Sequence, residues 1–170
     1  MVQRESSSTG ACLHLFCGKA GAGKSTLAAA IAAAEQAFLI SEDVWLARLY
    51  GDELRTFEDY RRLSARLRSV VEPLTVDLLR AGRHVVLDLP ANTISARARL
   101  RTLIDTAGSA HVLHFVDSAE ATCLERIGKR NAERPEGSHH LTPAQFASIS
   151  SFFEAPTDEE GFAVRRHVPR

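Results

Sequence analysis

The sequence accumulates no charge of either sign. Its 170 residues hold 21 Lys and Arg against 21 Asp and Glu, a formal net charge of zero. A protein built to hold long stretches of nucleic acid usually carries a basic excess, so only a local basic face is left open here. Cysteine is scarce as well: Cys12, Cys17 and Cys123 are odd in number and match no zinc or redox spacing. They read as three reduced thiols in a cytoplasmic protein. No apolar run approaches the ~20 residues of a membrane span. Residues 1–10 are polar and Ser-rich with no apolar centre, which argues against a signal peptide and for a frayed tail. No internal repeat is present. Hydrophobic residues at 45% and charged residues at 25% suit a soluble globular chain. One domain over 11–170 can bury a core at this length without disulfides or structural metals.

Short apolar runs alternate with helical patterns. CLHLFC (12–17), AFLIS (37–41), VVLDL (85–89) and HVLHFV (111–116) read as buried strands, and 162–167 as a last one. Helices are expected over 24–35, 57–81, 93–106, 118–131 and 143–154. In 57–81 the apolar stripe is Tyr60, Leu63, Leu67, Val70, Val71, Leu74 and Leu78, with Pro73 expected to kink the helix or begin a new one. Gly82 and Gly108 are stop signals. Asp117 or Ser118 is the expected cap of the 118–131 helix, and Thr142, Pro143 and Gln145 form a capping pattern. Such alternation predicts a three-layer α/β fold with a parallel sheet of about five strands. Ligands then bind outside the carboxyl ends of the strands.

One motif carries most of the chemistry. Gly18-Lys19-Ala20-Gly21-Ala22-Gly23-Lys24-Ser25 fits G-x-x-x-x-G-K-[ST], after a strand and at the start of a helix. The glycines let successive N–H groups turn toward phosphate oxygens, and the helix N-terminus adds partial positive charge. Lys24 is expected to reach the β- and γ-phosphates of ATP and Ser25 to offer its hydroxyl to Mg²⁺. Thr26, the next residue, is assigned to the same nucleotide site.

Two acids follow strands. Asp43, after AFLIS, is the candidate base that orients an acceptor hydroxyl, with Glu42 as fallback; the other reading has Asp43 cap a helix starting near Val44. Asp88 ends VVLD as a Walker B carboxylate does and is the candidate Mg²⁺ partner with Ser25. Arg126, Arg130 and Arg134 recur every four residues beside the polar loop 131–141. They suggest a basic lid over about 126–141 that closes on the triphosphate and excludes water. The bland reading is a solvated helix face. Arg61, Arg62, Arg66 and Arg68 read as a solvated face, with a phosphate-bearing acceptor or nucleic acid as the other reading. Trp45, Leu46 and Tyr50 either stack on an acceptor or pack on the core. Arg48, Asn92 and Arg97 line the cleft or lie on the surface. His139 and His140 read as loop histidines rather than metal ligands, and 158–160 as a surface turn. No guanine-specificity motif N-K-x-D or T-K-x-D follows the loop, which counts against a GTPase. The chain also has no room for the helical domain of large remodelling ATPases.

GKAGAGKST, LISEDVW, VVLDLPAN and ERIGKRNAERP together resemble the small P-loop kinase group, which includes polynucleotide kinase, chloramphenicol phosphotransferase and zeta-toxin-like kinases. FFEAPTDEEGF is similar to a stretch of small AAA-type ATP-binding proteins of that group. The resemblance implies an adenylate-kinase-like fold with a small lid, Asp43 as the base, and Arg126, Arg130 and Arg134 as lid arginines. Val44, Trp45 and Leu46 stand where polynucleotide kinases tend to carry a second acid and a basic residue, which points to a more apolar acceptor pocket. The expected activity is transfer of the γ-phosphate of ATP to a hydroxyl of a small metabolite or antibiotic-like molecule. A 5′-hydroxyl polynucleotide kinase and an ATP-dependent switch that binds a protein partner remain alternatives.

Overall fold

In the computed structural model, CLHLFC forms β1 (Cys12–Cys17), and every residue after the first is buried. A strand apolar on both faces belongs at the centre of a parallel sheet. β1 runs between β3 (Val85–Pro90) and β4 (Ala110–Val116), with β2 (Phe38–Ser41) and β5 (Val164–His167) at the edges. All neighbours are parallel, in the order β2-β3-β1-β4-β5. The register sets Leu15 beside Leu87 on one side and Leu113 on the other. The structure describes residues 10–136 and 139–168, so all of the expected tail but Gly10 lies outside them.

Helices cover both faces. α1 (Lys24–Ala34) is rich in alanine, and Ala28 and Ala32 lie against Phe16 and Val86 on one face. α2 (Glu42–Tyr50), α3 (Phe57–Arg80) and α4 (Ile94–Ala107) serve the larger core. There Leu63, Leu67, Val71, Leu79, Leu100 and Ile104 meet Leu13, Leu15, Val85 and Leu87. α5 (Glu120–Glu133) and α6 (Pro143–Ser150) close a third cluster of Ala22, Val116, Cys123, Ile127 and Phe146 beside the phosphate loop. The cysteines are unpaired. Among the described residues no helix is long and apolar enough to cross a membrane.

Four local expectations change. α3 is one helix through Pro73, not two. Pro73 and Ser69 are both exposed, so water can meet the Ser69 carbonyl that proline leaves without a donor. The buried stripe of α3 is Leu63, Leu67, Val71, Thr75, Val76 and Leu79, while Val70 and Leu74 face outward. α5 begins at Glu120 without a side-chain cap. Both expected caps are engaged elsewhere: Ser118 Oγ donates to the Ala22 carbonyl at 2.9 Å, and Asp117 pairs with Arg166. α6 also stops at Ser150, short of the expected 154. The capping boxes at Thr56 with Asp59 and Thr142 with Gln145 are formed.

Candidate active site

The phosphate loop follows β1 and ends where α1 begins at Lys24. Its glycines are demanded by packing as well as by dihedral angle. Gly18 has φ 144°, and a Cβ there would stand 2.4 Å from the Val116 carbonyl oxygen; at Gly21, φ 74°, it would stand 2.5 Å from that of Cys123. Side chains cannot enter against backbone at those distances. The loop is held from outside at both ends. The Gly18 N–H donates to Asn92 Oδ1 at 2.9 Å, and the Ala22 carbonyl accepts from Ser118 Oγ at 2.9 Å and Arg126 Nη1 at 2.8 Å. Lys24 Nζ donates to the carbonyls of Gly18 (2.6 Å) and Lys19 (2.9 Å). Burial pulls the Lys24 ammonium below its usual range, while Asp88, both buried thiols and Asp43 oppose that. Lys19 reaches outward to Glu120 at 3.2 Å, and Ser25 and Thr26 lie exposed on the first turn of α1.

The acids converge on this loop from the neighbouring strand ends. Ser41, the last residue of β2, is in register with Asp88 on β3, and its Oγ donates to Asp88 Oδ2 at 3.3 Å. Asp43 lies in the first turn of α2 and does not cap it; the N-cap is Ser41. Asp43 is exposed at the surface, yet protein crowds around its carboxyl. Desolvation lifts its carboxyl above the usual range; His139 opposes the shift, Glu42 and Asp88 add to it, and Arg130 again opposes it. Asp43 is thus coupled by charge to Lys24, Asp88, Arg130 and His139 near the carboxyl ends of the strands.

Glu42 faces the other way. It is buried and accepts from Tyr60 Oη at 3.0 Å, Arg68 Nε at 2.9 Å and Ser64 Oγ, which removes it as a fallback base. Leu46 is fully buried, and Trp45 and Tyr50 pack against the core, the packing alternative of the two readings for these side chains.

The lid arginines separate. Arg126 touches the loop; Arg130 is half-buried with Nε lacking a hydrogen-bond partner among the described residues. Arg134 has left the helix as its C-cap, with φ 48°. It lines a cleft of about 330 Å³ with Arg130, Asn131 and His140. Asn131 bonds both the carbonyl (2.8 Å) and the N–H (3.1 Å) of Leu141. The segment after α5 touches the α2–α3 side at two points: Glu136 pairs with Arg48 at 2.7 Å, and the His139 ring stands edge-on to Tyr60 at 6.0 Å. On α3, Arg61 pairs with Glu58, Arg62 with Asp59 and Arg68 with Glu42.

Arg97 was the residue least visible beforehand. It is neither surface nor cleft but fully enclosed, held by Glu160 at 2.6 and 2.9 Å and by the carbonyls of Ala91 (3.0 Å) and Glu154 (2.8 Å). The turn at 158–160, expected to be surface, is thereby part of the scaffold. The usable signal was periodicity: Arg97 stands three residues before Leu100 and seven before Ile104 on the buried stripe of α4. A cation on such a stripe requires an acid partner.

For Mg²⁺, the Ser25 hydroxyl is exposed and Asp88 keeps one oxygen beyond its Ser41 contact, a hard oxygen set that fits the ion.

The fold is that of known small P-loop kinases. A structure titled a putative kinase from Chloroflexus aurantiacus aligns with TM-score 0.75 at 18% identity, covering 94% of this chain and 85% of that one. The Mycobacterium tuberculosis APS kinase CysC, in complex with AMPPNP and APS, aligns with TM-score 0.63 at 22% identity over 94% and 88%. A gluconokinase from Sinorhizobium meliloti gives 0.56 at 20% identity over 94% and 83%. No curated protein matches the sequence. The family model AAA_33, an AAA domain, matches residues 13–156, from within β1 to the segment that grips Arg97, and the chain belongs to that family.

Proposed function

We propose that the chain is a phosphotransferase that moves the γ-phosphate of ATP to a hydroxyl of a small molecule. The observation that carries this reading is Asp43: an exposed carboxylate on the first turn after β2, near enough for its charge to bear on Lys24 and for that of Asp88 to bear on it. A nucleotide switch needs the phosphate loop and a metal carboxylate; it has no use for a second, exposed acid near them.

The roles follow from placement. The loop N–H groups over 18–25 and Lys24 hold the β- and γ-phosphates, with Thr26 beside them; Lys24 releases its two carbonyl bonds to do so. Ser25 and Asp88 would hold Mg²⁺, which neutralises phosphate charge when bound. Asp43 accepts the acceptor's proton and orients its oxygen, and its raised carboxyl makes it a better base than an ordinary aspartate. Arg126 and Arg130 stabilise charge on the transferring group, and Arg134 lies at the outer end of that basic row. Contacts from residues 136 and 139 to Arg48 on α2 and Tyr60 on α3 bring the lid segment close to the helix that carries Asp43, which suits a compact acceptor. Pairing of Arg61, Arg62 and Arg68 with acids leaves that helix poorly suited to a polynucleotide.

The test is acceptor-dependent ADP release across a panel of small hydroxyl compounds and 5′-hydroxyl oligonucleotides. A small-molecule acceptor is expected to respond. Asp43→Asn should lower kcat by about 10²–10⁴ while ATP affinity persists, the usual weight of a general base. The acid limb of the wild-type kcat/KM profile should lie above the ordinary carboxylate range. Oligonucleotide-only transfer would replace the acceptor class; undiminished transfer by Asp43→Asn would remove Asp43 from the mechanism.

A further inference from the structure

The geometry points to a second metal site, for a zinc-class ion, built from His14, Glu35 and His84 at the opposite end of the sheet from the phosphate loop. One ligand atom from each of the three lies within 4.8 Å of the others. The register places Leu13 beside Val85, so His84 stands immediately before β3, one residue along from that pair. Strand alternation then turns His14 and His84 to the same face as Phe16 and Val86, the face covered by α1. Glu35 is the C-cap of α1, at the negative end of the helix dipole, which favours a cation. At about 3.3 Å per strand residue, the four steps from His14 to Gly18 put the site roughly 13 Å from the phosphate loop. It is separate from Ser25 and Asp88.

His14 is the telling residue. Its Nε2 is buried and, among the described residues, meets only the half-exposed Glu35 carboxylate, Oε2 at 2.9 Å. Its other nitrogen is firmly held: Nδ1 lies 3.1 Å from His114 Nε2, and His114 Nδ1 lies 2.9 Å from His167 Nε2. Three neutral rings carry three protons, and two fill these two gaps. The third sits at one end of the row, on His14 Nε2 or on His167 Nδ1. With it at His167, His14 turns a lone pair toward Glu35, held from behind as metal-binding imidazoles usually are. His84 Nδ1 accepts the Cys12 N–H at 3.2 Å, so its ring proton rests on Nε2. Ligation through Nε2 moves that proton to Nδ1 and exchanges the long Cys12 bond for a metal bond. Ligation therefore releases no net proton from these four histidines. Two imidazoles and one carboxylate select a borderline ion of the zinc type over Mg²⁺ or Ca²⁺, and water completes the coordination. Such an ion would staple β1, β3 and α1 together.

The test uses the full chain, stripped with a chelator and titrated with Zn²⁺ against a chromophoric competitor. His14 is too enclosed to be a clean variant, so the substitutions fall on the more accessible partners. Wild type is expected to bind one equivalent and to gain thermal stability from it. Glu35→Gln and His84→Ala should each weaken binding roughly tenfold or more, and the double variant should lose both the binding and the thermal gain. Equal binding by wild type and the double variant would overturn the assignment, as would the absence of binding by wild type at micromolar Zn²⁺. Glu35→Gln by itself decides the case if His84→Ala fails to fold.

Discussion

Glu160→Gln should destabilise the protein far more than its surface-like position in the sequence suggests. The Arg97 side chain has 0% exposure and that of Glu160 11%, and two hydrogen bonds of 2.6 and 2.9 Å join them. The glutamine keeps an acceptor but strands a guanidinium in the core without its counter-charge, which costs about 3–5 kcal/mol. For a domain of this size each kcal/mol lowers Tm by about 2–4 °C, so a fall of about 6–20 °C is expected. The effect should also reach the nucleotide. Arg97 holds the Ala91 carbonyl, and the next residue, Asn92, bonds Glu154 through its carbonyl and Gly18 through its side chain. KM for ATP should therefore rise. Hydrogen bonds from Arg97 hold the Glu160 carboxyl below its usual range. With a depressed folded value, the stabilisation is complete above the unfolded carboxyl pKa of about 4.3 and is lost as pH falls through the lower folded one. Urea unfolding of wild type and variant across that window, with Arg97→Met/Glu160→Gln completing the cycle, measures it. A loss below about 1 kcal/mol for Glu160→Gln, or additivity in the cycle, would refute the argument.

Asn92→Ala removes the acceptor for the Gly18 N–H and should raise KM for ATP several-fold with kcat largely retained, as steady-state kinetics would show; an equal fall in kcat at unchanged KM would contradict this. His114 is buried, and burial, with His14, His167 and Arg165 nearby, pushes its imidazole down to about 3. Its neutral form is thus favoured in the fold. The stabilisation is complete above the unfolded value of about 6.5 and drains away as pH falls toward 3, up to about 5 kcal/mol in all. His114→Phe should be less stable at neutral pH yet lose less on acidification, measured as urea midpoints at several pH values in the presence of a chelator.

The fold was largely legible because its signals are local. Apolar runs of strand length, Gly82 and Gly108 after helices, and the Thr142-Pro143-Ala144-Gln145 cap each act within a few residues, and each lies where expected. Errors arose where a distant partner redirected a local choice. Ser118 has the chemistry of a cap, but the Ala22 carbonyl, 96 residues earlier, takes its hydroxyl and α5 starts later. The stripe of α3 includes Thr75, whose hydroxyl bonds the Val71 carbonyl within the helix, so burial costs it little and apolar residues alone misplace the face.

The site divides along the same line. The phosphate loop could be read because its demands are internal: a backbone bend between strand and helix, then Lys24 and Ser25. What steadies that loop could not, since Asn92, Ser118 and Arg126 lie 74, 96 and 104 residues from their partners. Adjacent Glu42 and Asp43 show the limit most clearly. Side chains one position apart on a helix point about 100° apart, so only one of the two can face the cleft. The sequence could name the pair but not the choice, which was made by Tyr60, Ser64 and Arg68 one helix away. Those three residues bury Glu42 in hydrogen bonds and leave Asp43 the only acid of the pair beside Lys24. Any variant that frees Glu42 from them therefore also disturbs how Asp43 is aimed, although among the described residues no hydrogen bond joins any of the three to the phosphate loop.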